Sequence, residues 1–163
     1  MNSITEKEIQ REHPLNHHFQ LTAAIVFLVV WLADSFVLEW STFPSESVPL
    51  ILRLVLASVV FVVALILAIK SHETIFGEGE EPDQVIDTGI MGSVRHPMYL
   101  GSMLVYVALF LTTLSIICLL LFGIAFLGYN KMASFEEQQL EKLFGADYRQ
   151  YKNRVKKWVP KIY

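Results

Sequence analysis

Across residues 98–130 the chain carries no Asp, Glu, Lys or Arg. As one helix this stretch would run about 50 Å at 1.5 Å per residue, well beyond the roughly 30 Å of a bilayer's hydrocarbon. Split at Thr112-Thr113-Leu114-Ser115, it becomes two short antiparallel spans, a tight helical hairpin. Gly101, Ser102, Gly123, Ala125 and Gly128 are the small residues expected to let its helices approach closely. Two further apolar segments, residues 19–40 and 48–69, each have about the 20 residues needed to cross a membrane. A Pro- and Ser-punctuated turn, residues 41–47, lies between them.

The expected fold is therefore all-α: a polytopic membrane protein with four transmembrane helices, the last two paired, plus short cytoplasmic C-terminal helices. Composition agrees, with 53% hydrophobic and only 18% charged residues, against about 25% charged in soluble domains. Residues 1–18 are polar and show no secretory-signal pattern, so the first apolar run reads as a span rather than a cleaved leader. Cys118 is the only cysteine, which excludes an intrachain disulfide framework and a thiolate metal cluster.

Lysine and arginine placement sets the expected topology. Lys7 and Arg11 precede the first span, Lys70 and Arg95 lie between the second and third, and eight cations from Lys131 to Lys161 follow the fourth. The two opposite loops contain none, so both termini and the central loop are expected in the cytoplasm. One membrane domain, 1–163, then divides into a cytoplasmic segment 1–18, two spans 19–70, a cytoplasmic loop 71–97, the hairpin 98–132 and a cytoplasmic part 133–163. The loop is acidic at its centre, with Glu73, Glu78, Glu80, Glu81, Asp83 and Asp87.

Two clusters at the cytoplasmic edge of the hairpin can carry chemistry. Pro97 suits the first position of a helix, whose unpaired N–H groups, beside Arg95 and His96, would receive an anion. Arg95 as an interface anchor and His96 as a helix-entry residue is the competing reading. Glu136 and Glu137 follow the fourth span, either as holders of hydroxyls or a cation, or as a solvated helix face. The hairpin would bring His96 next to Glu137. Asp34 and Glu39 near the end of the first span could pair with Arg53 at the start of the second. The histidines His13, His17, His18 and His72 lack metal-ligand spacing, so no metal is expected. The basic stretch 152–161, with Tyr151 and Trp158, is expected on anionic lipid headgroups rather than nucleic acid.

The run Thr88-Gly89-Ile90-Met91-Gly92-Ser93-Val94-Arg95-His96-Pro97-Met98-Tyr99-Leu100-Gly101 resembles the motif that isoprenylcysteine carboxyl methyltransferases carry before their paired helices. Residues 136–151, EEQQLEKLFGADYRQY, with Val155 and Pro160, resemble that family's second motif. The likeness covers roughly residues 85–160. It implies S-adenosylmethionine as cofactor, contacted by Gly89, His96, Pro97, Tyr99, Glu136 and Glu137, and makes Arg95 and Lys157 the candidate catalytic side chains. Tyr99, Tyr129 or Phe135 would face the sulfonium, although Tyr129 reads rather as interfacial belt or core packing. The family often has an aromatic at the Met91 position and an arginine near Lys157; lysine offers no bidentate fork. The implied partners are the bilayer and a lipophilic acceptor, first a prenylated cysteine carboxylate, alternatively a phospholipid amine. A non-catalytic membrane scaffold and a sterol-type membrane reductase are the rivals from other classes.

Overall fold

The computed structural model describes residues 16–76 and 84–160. Lys7, Arg11, His13, Glu78, Glu80, Glu81, Asp83 and Lys161 therefore lie outside the described residues. The chain forms helices α1 (Asn16–Ala33), α2 (Leu50–Phe76), α3 (Pro97–Thr113), α4 (Ile116–Phe144) and α5 (Ala146–Arg154). A π-helical turn, Asp34–Leu38, extends α1, and single 3-10 turns occupy Phe43–Ser47 and Gly89–Gly92. Among the described residues the sole extended pairing is a parallel bridge between Val94 and Lys156.

Asn16–Leu38, Leu50–Ile75 and Ile116–Phe144 are long and apolar enough to cross a membrane, whereas α3, with 17 residues, is a shorter apolar helix. At 1.5 Å per residue α3 is about 26 Å long, just under the hydrocarbon thickness. Its limits are local: Pro97 occupies its first turn, and Leu114 ends it with a left-handed φ of 52°. Ser115 then caps α4, its hydroxyl accepting from the Cys118 amide at 3.1 Å. The uncharged block thus breaks within residues 112–115, as its length requires. The central loop is shorter than 71–97, because α2 continues through Lys70 to Phe76.

Helix direction alternates. The start of α1 meets α4 where Asn16 bonds to Glu136, and the start of α3 meets the same residue through Tyr99. At the opposite end Ser35 reaches Thr113 (2.9 Å) and Arg53 reaches the Thr112 carbonyl (2.5 Å). Phe27, Tyr99, Met103, Tyr106, Cys118 and Tyr129 form the core where α1, α3 and α4 meet. Outward, Leu120, Ile124 and Leu127 of α4 and Ile51, Val59 and Ile69 of α2 are exposed. An apolar surface this continuous fits a hydrocarbon solvent.

The small residues do not mainly serve the α3–α4 pair. Along its length α3 packs most extensively on α2. A Cβ on Gly101 would sit 3.1 Å from the Ala64 carbonyl oxygen of α2, and one on Gly128 would strike the Phe19 ring of α1. Gly123 has open space around it.

The expected pairing of Arg53 with Asp34 or Glu39 does not form. Asp34, 2% exposed, accepts from the Ser41 hydroxyl (2.5 Å), the Ser115 hydroxyl (2.6 Å) and the Ser41 amide (3.2 Å). Arg53 instead donates to the carbonyls of Thr112 and Val48 (3.1 Å). Helix-terminal carbonyls have no intrahelical partner, and a bilayer offers them no water. The guanidinium supplies that donor at the end of α3.

Candidate functional site

At the end where α1 and α3 begin, adjacent carboxylates on α4 gather the polar side chains. Glu137 is 6% exposed. Its Oε1 lies 3.1 Å from Arg95 Nη2 and 3.1 Å from His96 Nε2, and its Oε2 lies 3.8 Å from Lys157 Nζ. Glu136 accepts the Tyr99 hydroxyl and the Asn16 Nδ2 (3.3 Å), and its Oε2 is 3.7 Å from His96 Nδ1. A buried carboxylate is tolerable only when paired and hydrogen-bonded, and Glu137 has both kinds of partner.

Backbone geometry explains the convergence. His96 is the residue before Pro97 and has φ −123°, ψ 62°, outside the helical region, as a residue preceding proline prefers. The chain therefore enters α3 from an extended segment, which the C-terminal tail pairs with. Val94 bridges Lys156, and the Arg95 amide donates to the Lys156 carbonyl at 3.0 Å. The next tail residues fold inward. Lys157 donates to Ser134 Oγ (2.8 Å) and Asn130 Oδ1 (3.4 Å), and Trp158 Nε1 donates to Asn130 Oδ1 (3.2 Å). The Trp158 ring lies 5.7 Å from His96 and 5.9 Å from Phe126.

The tail thus corrects one expectation: much of 152–160 binds protein rather than headgroups. Lys152 pairs with Glu141 (3.0 Å) and Arg154 with Asp87, while Tyr151 donates to the Met91 carbonyl (2.8 Å). Burial pushes the Tyr151 hydroxyl up to about 12, so it stays a donor.

Burial also holds His96 below its usual range, outweighing the upward pull of Glu137, with Lys157 and Arg95 adding to the depression. The ring is therefore neutral at neutral pH. A neutral ring facing Glu137 at 3.1 Å must donate Nε2–H, which leaves Nδ1 as the acceptor nitrogen on the Glu136 side. Burial likewise lowers Lys157, against the pull of Glu137. Arg95 spends Nη2 on Glu137 and Nη1 on the Lys152 carbonyl (2.9 Å). Among the described residues its buried Nε has no hydrogen-bond partner.

Of the residues expected here, Arg95, His96, Tyr99, Glu136, Glu137 and Lys157 come together. Pro97 starts α3 directly behind His96, and Gly89 does not join them: it opens the 3-10 turn with φ 56° and faces Thr74 of α2. Tyr129, 1% exposed, packs among Phe19, Tyr99 and Tyr106, in line with its core reading. Asn16, Asn130, Ser134 and Trp158 were not anticipated. Asn130, the last residue of the charge-free block, and Ser134 stand one helical turn apart, a visible pattern; Asn16 lies in a polar segment without any pattern.

The phospholipid methyltransferase family matches residues 49–147. The chain belongs to that family. It falls within the isoprenylcysteine carboxyl methyltransferase-like group of membrane methyltransferases. No curated protein and no solved structure matches the chain. The phospholipid methyltransferase match contains α2, α3, α4 and the cluster members Arg95, His96, Tyr99, Asn130, Ser134, Glu136 and Glu137. Asn16 before it and Lys157 and Trp158 after it complete the cluster from outside.

Proposed function

We propose that the protein transfers a methyl group from S-adenosylmethionine to a lipophilic acceptor at the membrane edge where α3 begins. The observation carrying this reading is the convergence of His96, Tyr99, Glu136 and Glu137 on one another from α3 and α4. The donor set fits the cofactor. Carboxylates and the His96 Nδ1 accept from hydroxyl and ammonium groups, the Arg95 Nε is a donor for a carboxylate, and the Tyr99 and Trp158 rings suit a sulfonium. When bound, the cofactor supplies an electrophilic methyl group.

Membrane orientation follows the same reading: four helices cross the bilayer, α3 the shortest, with both termini and the carboxylate cluster cytoplasmic. The chain's own contribution is alignment and exclusion of water. We take the acceptor to be a lipid amine. Arg95 and Lys157, the cations of the cluster among the described residues, both pair with Glu137, an arrangement that does not favour an anionic acceptor. An ammonium must lose a proton before it can accept a methyl, and the neutral His96 Nδ1 beside Glu136 can take it. A second reading, a prenylated cysteine carboxylate, is favoured by the Arg95 Nε, which has no hydrogen-bond partner among the described residues and could donate to such an acceptor.

Calorimetric titration of the detergent-purified protein with S-adenosylhomocysteine tests the cofactor assignment. Micromolar binding, about −8 kcal/mol, lost in Glu137→Ala, is the expected result. A folded, monodisperse sample that binds nothing would overturn it. Supplying phosphatidylethanolamine and a farnesylated N-acetylcysteine in parallel then separates the two acceptors.

A further inference from the structure

The first helix lies outside the family-matched segment, yet it reaches the carboxylates. Asn16 is 3% exposed; it donates Nδ2 to Glu136 Oε1 and accepts the Gln20 amide on its Oδ1 at 2.9 Å. Gln20 and, one turn on, Ala24 form one wall of a groove of about 290 Å³, whose other walls are Ser102, Val105 and Tyr106 of α3 and Tyr129 of α4. The groove connects to Glu136 by a second route. The Tyr106 and Tyr129 hydroxyls are 3.3 Å apart, the Tyr129 ring lies 5.5 Å from Tyr99, and Tyr99 donates to Glu136.

We propose that this groove takes the apolar chain of the methyl acceptor, and that Gln20 and Asn16 are positioning residues that couple its occupancy to Glu136. The inference rests on the methyltransferase reading above. A lipid chain is the fitting occupant for two reasons. The neighbouring α1 residues Leu21 and Ile25 are exposed on the surface that faces hydrocarbon. The volume sits at the small end of ligand sites, about 300–1,000 Å³, which suits one chain rather than a whole lipid. Because an amide can shift its hydrogen bonds when a neighbour arrives, a chain displacing Gln20 alters what Asn16 offers Glu136. Such coupling is reciprocal: acceptor in the groove changes cofactor affinity, and cofactor changes acceptor affinity.

The test uses the full chain in phosphatidylcholine vesicles, with or without phosphatidylethanolamine carrying a diazirine near the end of one acyl chain. Photolysis and peptide mass spectrometry should place the label on Ala24, Ser102 or Val105, and Ala24→Trp or Val105→Trp should suppress it at least threefold. S-adenosylhomocysteine affinity should differ at least threefold between the two vesicle types for the parent chain and agree between them for Gln20→Ala. Asn16→Ser should likewise remove the difference in affinity between the two vesicle types, a readout that a purely structural asparagine would not move. Label spread evenly over exposed faces of α2, or an affinity indifferent to phosphatidylethanolamine, overturns the coupling while leaving the cofactor assignment standing. Absence of S-adenosylhomocysteine binding in the parent chain removes the methyltransferase reading itself.

Discussion

At the residue scale, Glu137 decides whether the cluster holds together. Removing it leaves the partly buried Arg95 and Lys157 cations without their common partner. Breaking a buried pair this way costs about 3–5 kcal/mol. Glu137→Ala should therefore melt well below the parent in detergent, with Glu137→Gln between them; equal melting temperatures would show that the carboxylate is not the hub. His96 gives a pH signature. Its folded pKa is depressed below 6.5, so between that value and the folded one the unfolded chain binds the proton and the native chain does not. Its contribution is complete above about pH 6.5 and is lost as pH falls, at no more than about 1.4 kcal/mol per unit. Thermal melts from pH 7.5 to 5 should show this slope in the parent and a shallower one in His96→Gln. A steeper slope in the variant would contradict a buried neutral ring.

At the scale of elements, the close approach of α2 and α3 depends on a missing side chain. Gly101→Val would push atoms into the Ala64 carbonyl, and overpacking of this kind costs about 1–3 kcal/mol. Gly123→Ala meets open space and should melt at or slightly above the parent, since alanine is the better helix former. If both substitutions proved equally mild, α2 and α3 would have to be free to separate. The motif residues were legible because their types are unusual beside apolar runs: an arginine and a histidine before a proline, and twin glutamates after a span. Which helix each small residue would face was not legible, since a glycine's neighbour depends on helix rotation, and a uniformly apolar helix gives no rotational signal.

At the scale of the whole molecule, alternating helix directions put residues 41–47 at one end and α5 at the other. Since Cys118 is fully buried, its thiol should stay silent toward a membrane-impermeant maleimide, and single cysteines can report sidedness. In sealed vesicles Ser45→Cys and Gln150→Cys should label from opposite faces. Labelling from one face would rule out the four-span orientation.

The sequence by itself determined that the chain belongs in a membrane, where its helices must break, and which residues before α3 and past the apolar part of α4 are chemically out of place among apolar neighbours. Those conclusions follow from local rules: hydrocarbon thickness, the missing N–H of proline, and the cost of charge in lipid. Only the tertiary structure decided that Asn16 from one end and Lys157 and Trp158 from the other close around the same carboxylates. It also decided that Arg53 serves a helix-end carbonyl rather than Asp34. Contacts 120 residues apart leave no trace in spacing or composition. They exist because four alternating helices bring distant ends to one face, where buried polar groups must find partners or go unsatisfied.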